Sequence, residues 1–249
     1  MLTHSHVDAF NRYLNTTVGR EKLCRLVQYF ARFYAFYLLR NGAPKETIQR
    51  WSDLKSHIAN GRKFFRLLKP VEFAQAGVKS LALQDEVLRI TAFAKQFGMC
   101  FYYLSEVFVL TSAINFYKPK NLQKIATIGQ RCWWFAIAAS LISGLYKLKQ
   151  LSVRQHILDK SRKALLNTEE KSDAQIADLR AQEKILATIC LCLFRDKYNT
   201  KYAFVQDAVD IIIPSSNLGY LKADDGIVGL AGIITSLMAM NSQWKKLNG

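Results

Sequence analysis

The chain has 249 residues, enough for one large or two small domains with a sizeable core. Lys and Arg number 35 against 19 acids, a formal charge of +16 that calls for an acidic partner: nucleic acid or the anionic face of a membrane. Hydrophobic residues make up 50% and aromatics 12%, which excludes a disordered basic tail.

With only four prolines and few Asn-Gly or Asp-Gly turns, the chain reads as all-α. Residues 5–18 form a short amphipathic helix carrying Val7, Phe10, Tyr13 and Leu14, and Gly19 is expected to break it. A stronger helix runs from Arg20 to Arg40, with Leu23, Leu26, Val27, Phe30, Phe33, Tyr34, Tyr37 and Leu38 at three-four spacing. Asn41-Gly42 stops it, and Pro44 suits the first turn of the next helix.

The stretch Trp51 to Lys69 has the sharpest asymmetry. At 100° per residue, Trp51, Leu54, Ile58, Gly61, Phe64, Phe65, Leu67 and Leu68 share one arc. Lys55, Arg62, Lys63, Arg66 and Lys69 gather opposite, and Pro70 blocks continuation. Two arrangements fit: a helix lying in a membrane interface, or a cationic-faced helix packed on a protein core. Spanning is excluded, because each central Lys or Arg costs roughly 2.5–3.5 kcal/mol in hydrocarbon. At an anionic surface each gains about 1 kcal/mol instead.

A less regular stretch follows from Val71 to Ser80, then a helix from Gln84 toward Phe116. Its second half, Phe97 to Tyr117, has the length of a bilayer span, with Glu106 near the middle. If that half spans, Glu106 must face a partner helix or water. After the turn at Lys118-Pro119-Lys120-Asn121, Cys132 to Tyr146 is uncharged, with Trp133-Trp134 at one end. That run is short for a span, so a re-entrant or interfacial helix suits it equally.

Residues 147–183 are strongly polar and read as a solvent-exposed helix pair with a loop around 167–173, beside Glu169-Glu170. Ile185 to Phe194 is apolar but too short to cross alone. Ala203 to Ile213 ends at Pro214, before a turn-rich linker. The last segment, Gly226 to Trp244, has no charged residue, and Lys245-Lys246 behind it favour a cytosolic C-terminus. Gly226, Gly229, Gly232 and Ser236 make a small-residue face for close helix packing or oligomerisation in lipid.

Catalytic signatures are missing. There is no P-loop, no G-x-S-x-G elbow and no H-E-x-x-H, so an enzyme is not expected. Asp207 and Asp210 suit capping or a solvated face. Cys24, Cys100, Cys132, Cys190 and Cys192 lie in apolar runs without a pairing framework, which fits reduced thiols facing the cytosol. No metal-ligand spacing occurs, and neither metal nor cofactor is expected. His4, His6, Asp8 and Arg12 interrupt any N-terminal signal, so organelle delivery is expected to depend on internal segments. Basic residues are scattered over several helices without a recognition module, so no nucleic-acid partner is expected. The fold class is therefore an all-α, membrane-associated bundle of long amphipathic and hydrophobic helices. It divides into an N-terminal amphipathic region at 1–96, a hydrophobic hairpin at 97–148, a polar cytosolic region at 149–202 and a C-terminal region at 203–249.

Three blocks of this order resemble the peroxin eleven family of fungal and animal peroxisomal membrane proteins. One is the helix opening with Arg20-Glu21-Lys22. The second is Asn60-Gly61-Arg62-Lys63-Phe64-Phe65-Arg66-Leu67-Leu68-Lys69, with Glu72 soon after. The third runs from Asp210-Ile-Ile-Ile-Pro214 through Leu218-Gly219 to Gly226 and on to Thr235-Ser236. The resemblance implies a peroxisomal membrane protein that elongates its membrane before fission through a cationic amphipathic helix, matched here by Lys55 to Lys69. It also implies self-association and cooperation with a dynamin-related GTPase and its tail-anchored adaptor. The lipid-binding set is then Trp51, Leu54, Lys55, Ile58, Arg62, Lys63, Phe64, Phe65, Arg66, Leu67, Leu68 and Lys69, with anionic lipid as the partner. The alternative is a pore for small metabolites, with Glu106 in its lining.

Overall fold

The computed structural model of the chain describes residues 4–166 and 173–249. All regular structure among them is helical. Helix α1 (His4–Leu14) turns into α2 (Thr17–Arg40) at Thr16, whose hydroxyl accepts the Gly19 N–H at 3.0 Å. Gly19 does not break the helix as expected. It lies in the first turn of α2, where any Cβ would overlap the Tyr13 carbonyl, so glycine lets the corner close. Pro44 caps α3 (Lys45–Phe64), just ahead of its first turn, and a short turn leads into α4 (Lys69–Ser80). This last helix replaces the irregular stretch expected at 71–80.

Asp85 caps α5 (Glu86–Ala113) by accepting the Leu88 N–H at 3.0 Å. The chain reverses through Asn115, at a φ of 59°, into α6 (Leu122–Leu166). Asn is among the few residues that take that conformation at modest cost. Next come α7 (Asp173–Asp210), the single-turn α8 (Ile212–Asn217) and α9 (Asp225–Asn248), whose N-cap Asp224 accepts from Ile227. The loop expected around 167–173 and the Glu169-Glu170 pair lie outside the described residues, save Asp173, which opens α7.

Two long helix pairs organise the chain: α2 along α9, and α5 along α6. Helices α3, α4 and α7 pack on α2, α5 and α6 in turn. Both long pairs close on small side chains. A Cβ on Gly229 would come within 2.9 Å of the Phe33 backbone, and one on Gly98 within 2.8 Å of the Cys132 carbonyl. Gly129 in turn receives Ser105. Along α9, Gly226, Gly229 and Gly232 lie against Phe36, Phe33 and Tyr29 of the same chain.

Large apolar side chains point the other way. Ile227, Leu230, Ile234 and Leu237 on α9 are each 45–51% exposed, and Phe93, Phe97, Phe101, Leu104 and Phe108 form an open stripe on α5. A bundle with small and polar residues inside and Phe, Leu and Ile outside suits lipid surroundings, where apolar burial between helices supplies little drive. Among the described residues, α6 over Leu122–Ser161 and α9 are long and apolar enough to cross a membrane. The uncharged run at 132–146 is thus the centre of a longer helix, and its own length sets no limit. The Phe97–Tyr117 half of α5 does not reach that standard, because the helix stops at Ala113 and carries Glu106.

Candidate functional site

The asymmetric stretch is a helix only as far as Phe64. A continuous helix would drive the Pro70 ring into the carbonyl four residues back, so the chain turns at 65–68 and restarts at Lys69 with Pro70 in the first turn. Tight backbone bonds mark the turn: Arg66 N–H to Lys63 O at 3.1 Å and Lys69 N–H to Arg66 O at 3.0 Å. The resulting elbow holds Phe64, Phe65, Leu67, Leu68 and Val71 outward, at 51, 38, 40, 76 and 67% exposure.

The expected cationic arc splits at the same place. Arg62 and Arg66 turn into the bundle and converge on one carboxylate, Glu21 of α2. Arg62 donates to Glu21 Oε1 from Nη2 at 2.6 Å and from Nε at 3.0 Å, and Arg66 donates from Nε at 3.0 Å and also from Nη2. Arg66 Nη1 reaches Glu106 Oε2 at 3.0 Å, and the Tyr102 hydroxyl donates to Glu106 Oε1 at 3.0 Å. Lys22 lies 3.2 Å from Glu21. Glu106 is therefore a paired side chain that ties the elbow to α5. Burial alone would raise the Glu21 carboxyl, but Arg66, Lys22 and Arg62 hold it well below the usual carboxylate range.

The network continues through Arg25, which sequence reasoning missed, and through aspartates it read as caps or solvated side chains. Buried Arg25 of α2 donates to Asp210 at the end of α7, and to Thr235 of α9 at 3.1 Å. Asp210 is thus neither a cap nor a solvated side chain, and Asp207 accepts from Ser140 at 2.5 Å. Arg25 thus ties α2 to both α7 and α9.

The remaining lipid-facing candidates divide. Trp51 packs on α2, 4.7 Å from the Tyr34 ring and 6.1 Å from Phe30. Leu54 is exposed, while Ile58 is half-buried. Lys55 and Lys63 are half-buried, Lys63 bonding the Asn60 side chain at 2.9 Å, and Lys69 pairs with Glu72. Ser236 turns its hydroxyl back to the Gly232 carbonyl at 2.5 Å, leaving that face smooth for α2. Among the described residues no group of His, Cys, Asp and Glu could hold a metal ion.

The profile of the Peroxisomal biogenesis factor 11 (PEX11) family matches residues 7–244. The chain belongs to this family. Peroxisomal biogenesis factor 11 of Schizosaccharomyces pombe is 28% identical over 94% of the chain and 92% of its own length. Peroxisomal membrane protein PMP27 of Saccharomyces cerevisiae is 28% identical over 98% and 97%. Human peroxisomal membrane protein 11A is 25% identical over 94% and 95%. No solved structure matches the chain significantly. Membership gives this PEX11 chain a role in peroxisome biogenesis. The two helices able to cross a membrane agree with relatives named as membrane proteins. Glu21, Arg62, Arg66 and Asp210 all fall inside the three blocks that first suggested the family.

Proposed function

We propose that this PEX11-family protein resides in the peroxisomal membrane and elongates it ahead of fission by wedging the 64–71 elbow into the cytosolic leaflet. The observation that carries the reading is the elbow itself: five large apolar side chains held outward at a proline-enforced turn. At roughly 1.5–3 kcal/mol for each fully buried side chain, the exposed fractions of these five are worth roughly 4–8 kcal/mol in lipid. Lys55 and Lys69 beside them add attraction to anionic headgroups. Arg62 and Arg66 act differently from a headgroup-binding arc: their bonds to Glu21 and Glu106 tie the wedge to α2 and α5, which pack along the crossing helices α9 and α6. An insertion this shallow expands one leaflet and favours a tube. Self-association through the outward faces of α5 and α9, followed by recruitment of a dynamin-related GTPase and its adaptor, completes the proposed sequence. Both termini face the cytosol in this reading.

The test is reconstitution of the full chain in vesicles containing anionic lipid, viewed by electron microscopy. The native protein should draw tubules, fewer at high salt. Phe65→Glu/Leu68→Glu should abolish them while leaving helix content unchanged, because both side chains are exposed. Tubules of undiminished number from that variant would refute the wedge.

A further inference from the structure

Behind the elbow, between α2, α3, α5, α6 and α7, lies a cavity of about 280 Å³. Its wall carries six cations, Lys22, Arg25, Arg32, Arg62, Lys63 and Arg66, but two carboxylates, Glu106 and Asp210. Two further carboxylates reach these cations from outside the wall: Glu21 on Lys22, Arg62 and Arg66, and Asp225 on Arg32. Six against four leaves two positive charges uncompensated around a partly enclosed space. Lys63 shows the shortage directly, since its hydrogen bond goes to the neutral Asn60 amide oxygen at 2.9 Å. Burial, with Arg25 and Arg66 adding to it, pushes the Lys22 ammonium down to about 8 against the opposing pull of Glu21. A net double charge of this kind is costly unless something neutralises it.

We propose that this cavity binds a phosphate group, carried either by a free phosphate or by the phosphorylated head of a lipid. A phosphate dianion supplies the two missing negative charges, where a carboxylate supplies one. Its oxygens accept from several directions, which suits guanidinium and ammonium donors arriving from separate helices. Gln28, Gln206 and Tyr102 add uncharged polar groups to the wall. Size restricts the ligand, because pockets for drug-sized molecules begin at about 300 Å³. The enclosed space holds a phosphorylated headgroup, while the rest of a lipid has to lie outside the mouth. Asn217, exposed and bonded to Gln130 at 3.2 Å, marks the mouth. The inference stands apart from the wedge, which uses the outer surface of the same turn.

The test uses the full chain in nanodiscs and follows thermal unfolding with a thiol-reactive dye, for which the free cysteines serve. In neutral-lipid discs, inorganic phosphate should raise the melting temperature saturably, beyond chloride at equal ionic strength, if the ligand is soluble. If the source is lipid, the rise appears only in discs containing phosphatidic acid. Absence of a rise in both arms overturns the proposal. Lys22→Gln/Lys63→Gln should weaken binding about tenfold or more. Gln206→Glu places a carboxylate in the wall without removing any partner, so it should melt no lower than the native protein yet bind about tenfold more weakly. Lys118→Gln/Lys120→Gln, on the exposed turn before α6, should change nothing. Undiminished binding by Gln206→Glu, or an equal loss in the Lys118/Lys120 variant, would show ordinary surface attraction and dismiss the cavity.

Discussion

Replacing Glu21 with Gln keeps the shape of the side chain and removes the charge that three cations share. The side chains of Glu21, Arg62 and Arg66 are 8, 6 and 12% exposed, so solvent screens little of the change. Removing one partner of a buried pair leaves an uncompensated charge and costs about 3–5 kcal/mol. For a chain of this size each kcal/mol lowers the melting temperature by roughly 2–4 °C, so a fall of about 6–20 °C is expected. Unfolding can be followed in nanodiscs by the reactivity of Cys24, Cys100 and Cys132, which are half-buried in the folded protein. The interpretation needs a cycle. With Arg66→Met, the double variant should be less damaged than the two single losses together by about 1–3 kcal/mol, since removing a cation relieves the imbalance. A fall below about 3 °C for Glu21→Gln, or additivity within about 0.5 kcal/mol, would refute the view that a buried network holds the elbow.

Other outcomes follow from the packing and the caps. Gly229→Val forces α9 away from the Phe33 backbone and should destabilise by at least about 1–3 kcal/mol, read in the same melting assay, whereas Leu230→Ala on the outward face should be silent. Asp85 accepts the Leu88 N–H and, across to α6, bonds from Gln150 at 2.6 Å and Tyr146 at 3.0 Å, which hold its carboxyl below the usual range. A depressed folded pKa contributes stability above about pH 4 that is lost as pH falls through the folded value. The melting difference between the native protein and Asp85→Asn should therefore be present at pH 7 and shrink toward pH 2; a difference independent of pH would remove Asp85 from the account. Finally, the full chain should remain in membranes washed with alkaline carbonate, and release into the supernatant would dismiss α6 and α9 as crossing helices.

The helical class and most helix identities were legible from periodicity, since three-four spacing is a local signal; the caps at Thr16, Asp85 and Asp224 are local as well but went unread. Two boundaries were misread for one reason. Gly19 and the 71–80 stretch look like breaks by propensity, yet tertiary contact decides them: Gly19 is required by the closeness of Tyr13, and α4 is fixed along α5. The α9 glycines were legible as a packing face, but not the partner, because nothing local names Phe33 of α2. The matching α5–α6 contact went unread, although Gly98 with Ser105 and Gly129 with Ala136 repeat at seven residues, the spacing that returns to one helix face.

The cationic arc shows where local reading ends. A helical wheel sees Arg62, Lys63, Arg66 and Lys69 on one side and cannot tell outward from inward, since both orientations satisfy the same period. Orientation is decided by acids elsewhere in the chain. Glu21 and Glu106 would be costly in apolar surroundings without counter-charge, and Arg62 and Arg66 are where that counter-charge comes from. Once those arginines turn inward, Phe64 at the end of α3 and Phe65 and Leu68 on the turn behind it are left outward, so the wedge is a consequence of the interior pairing. Charge inside and rings outside are then two faces of one constraint, and any substitution that frees Arg66 from Glu21 should also disorder the elbow.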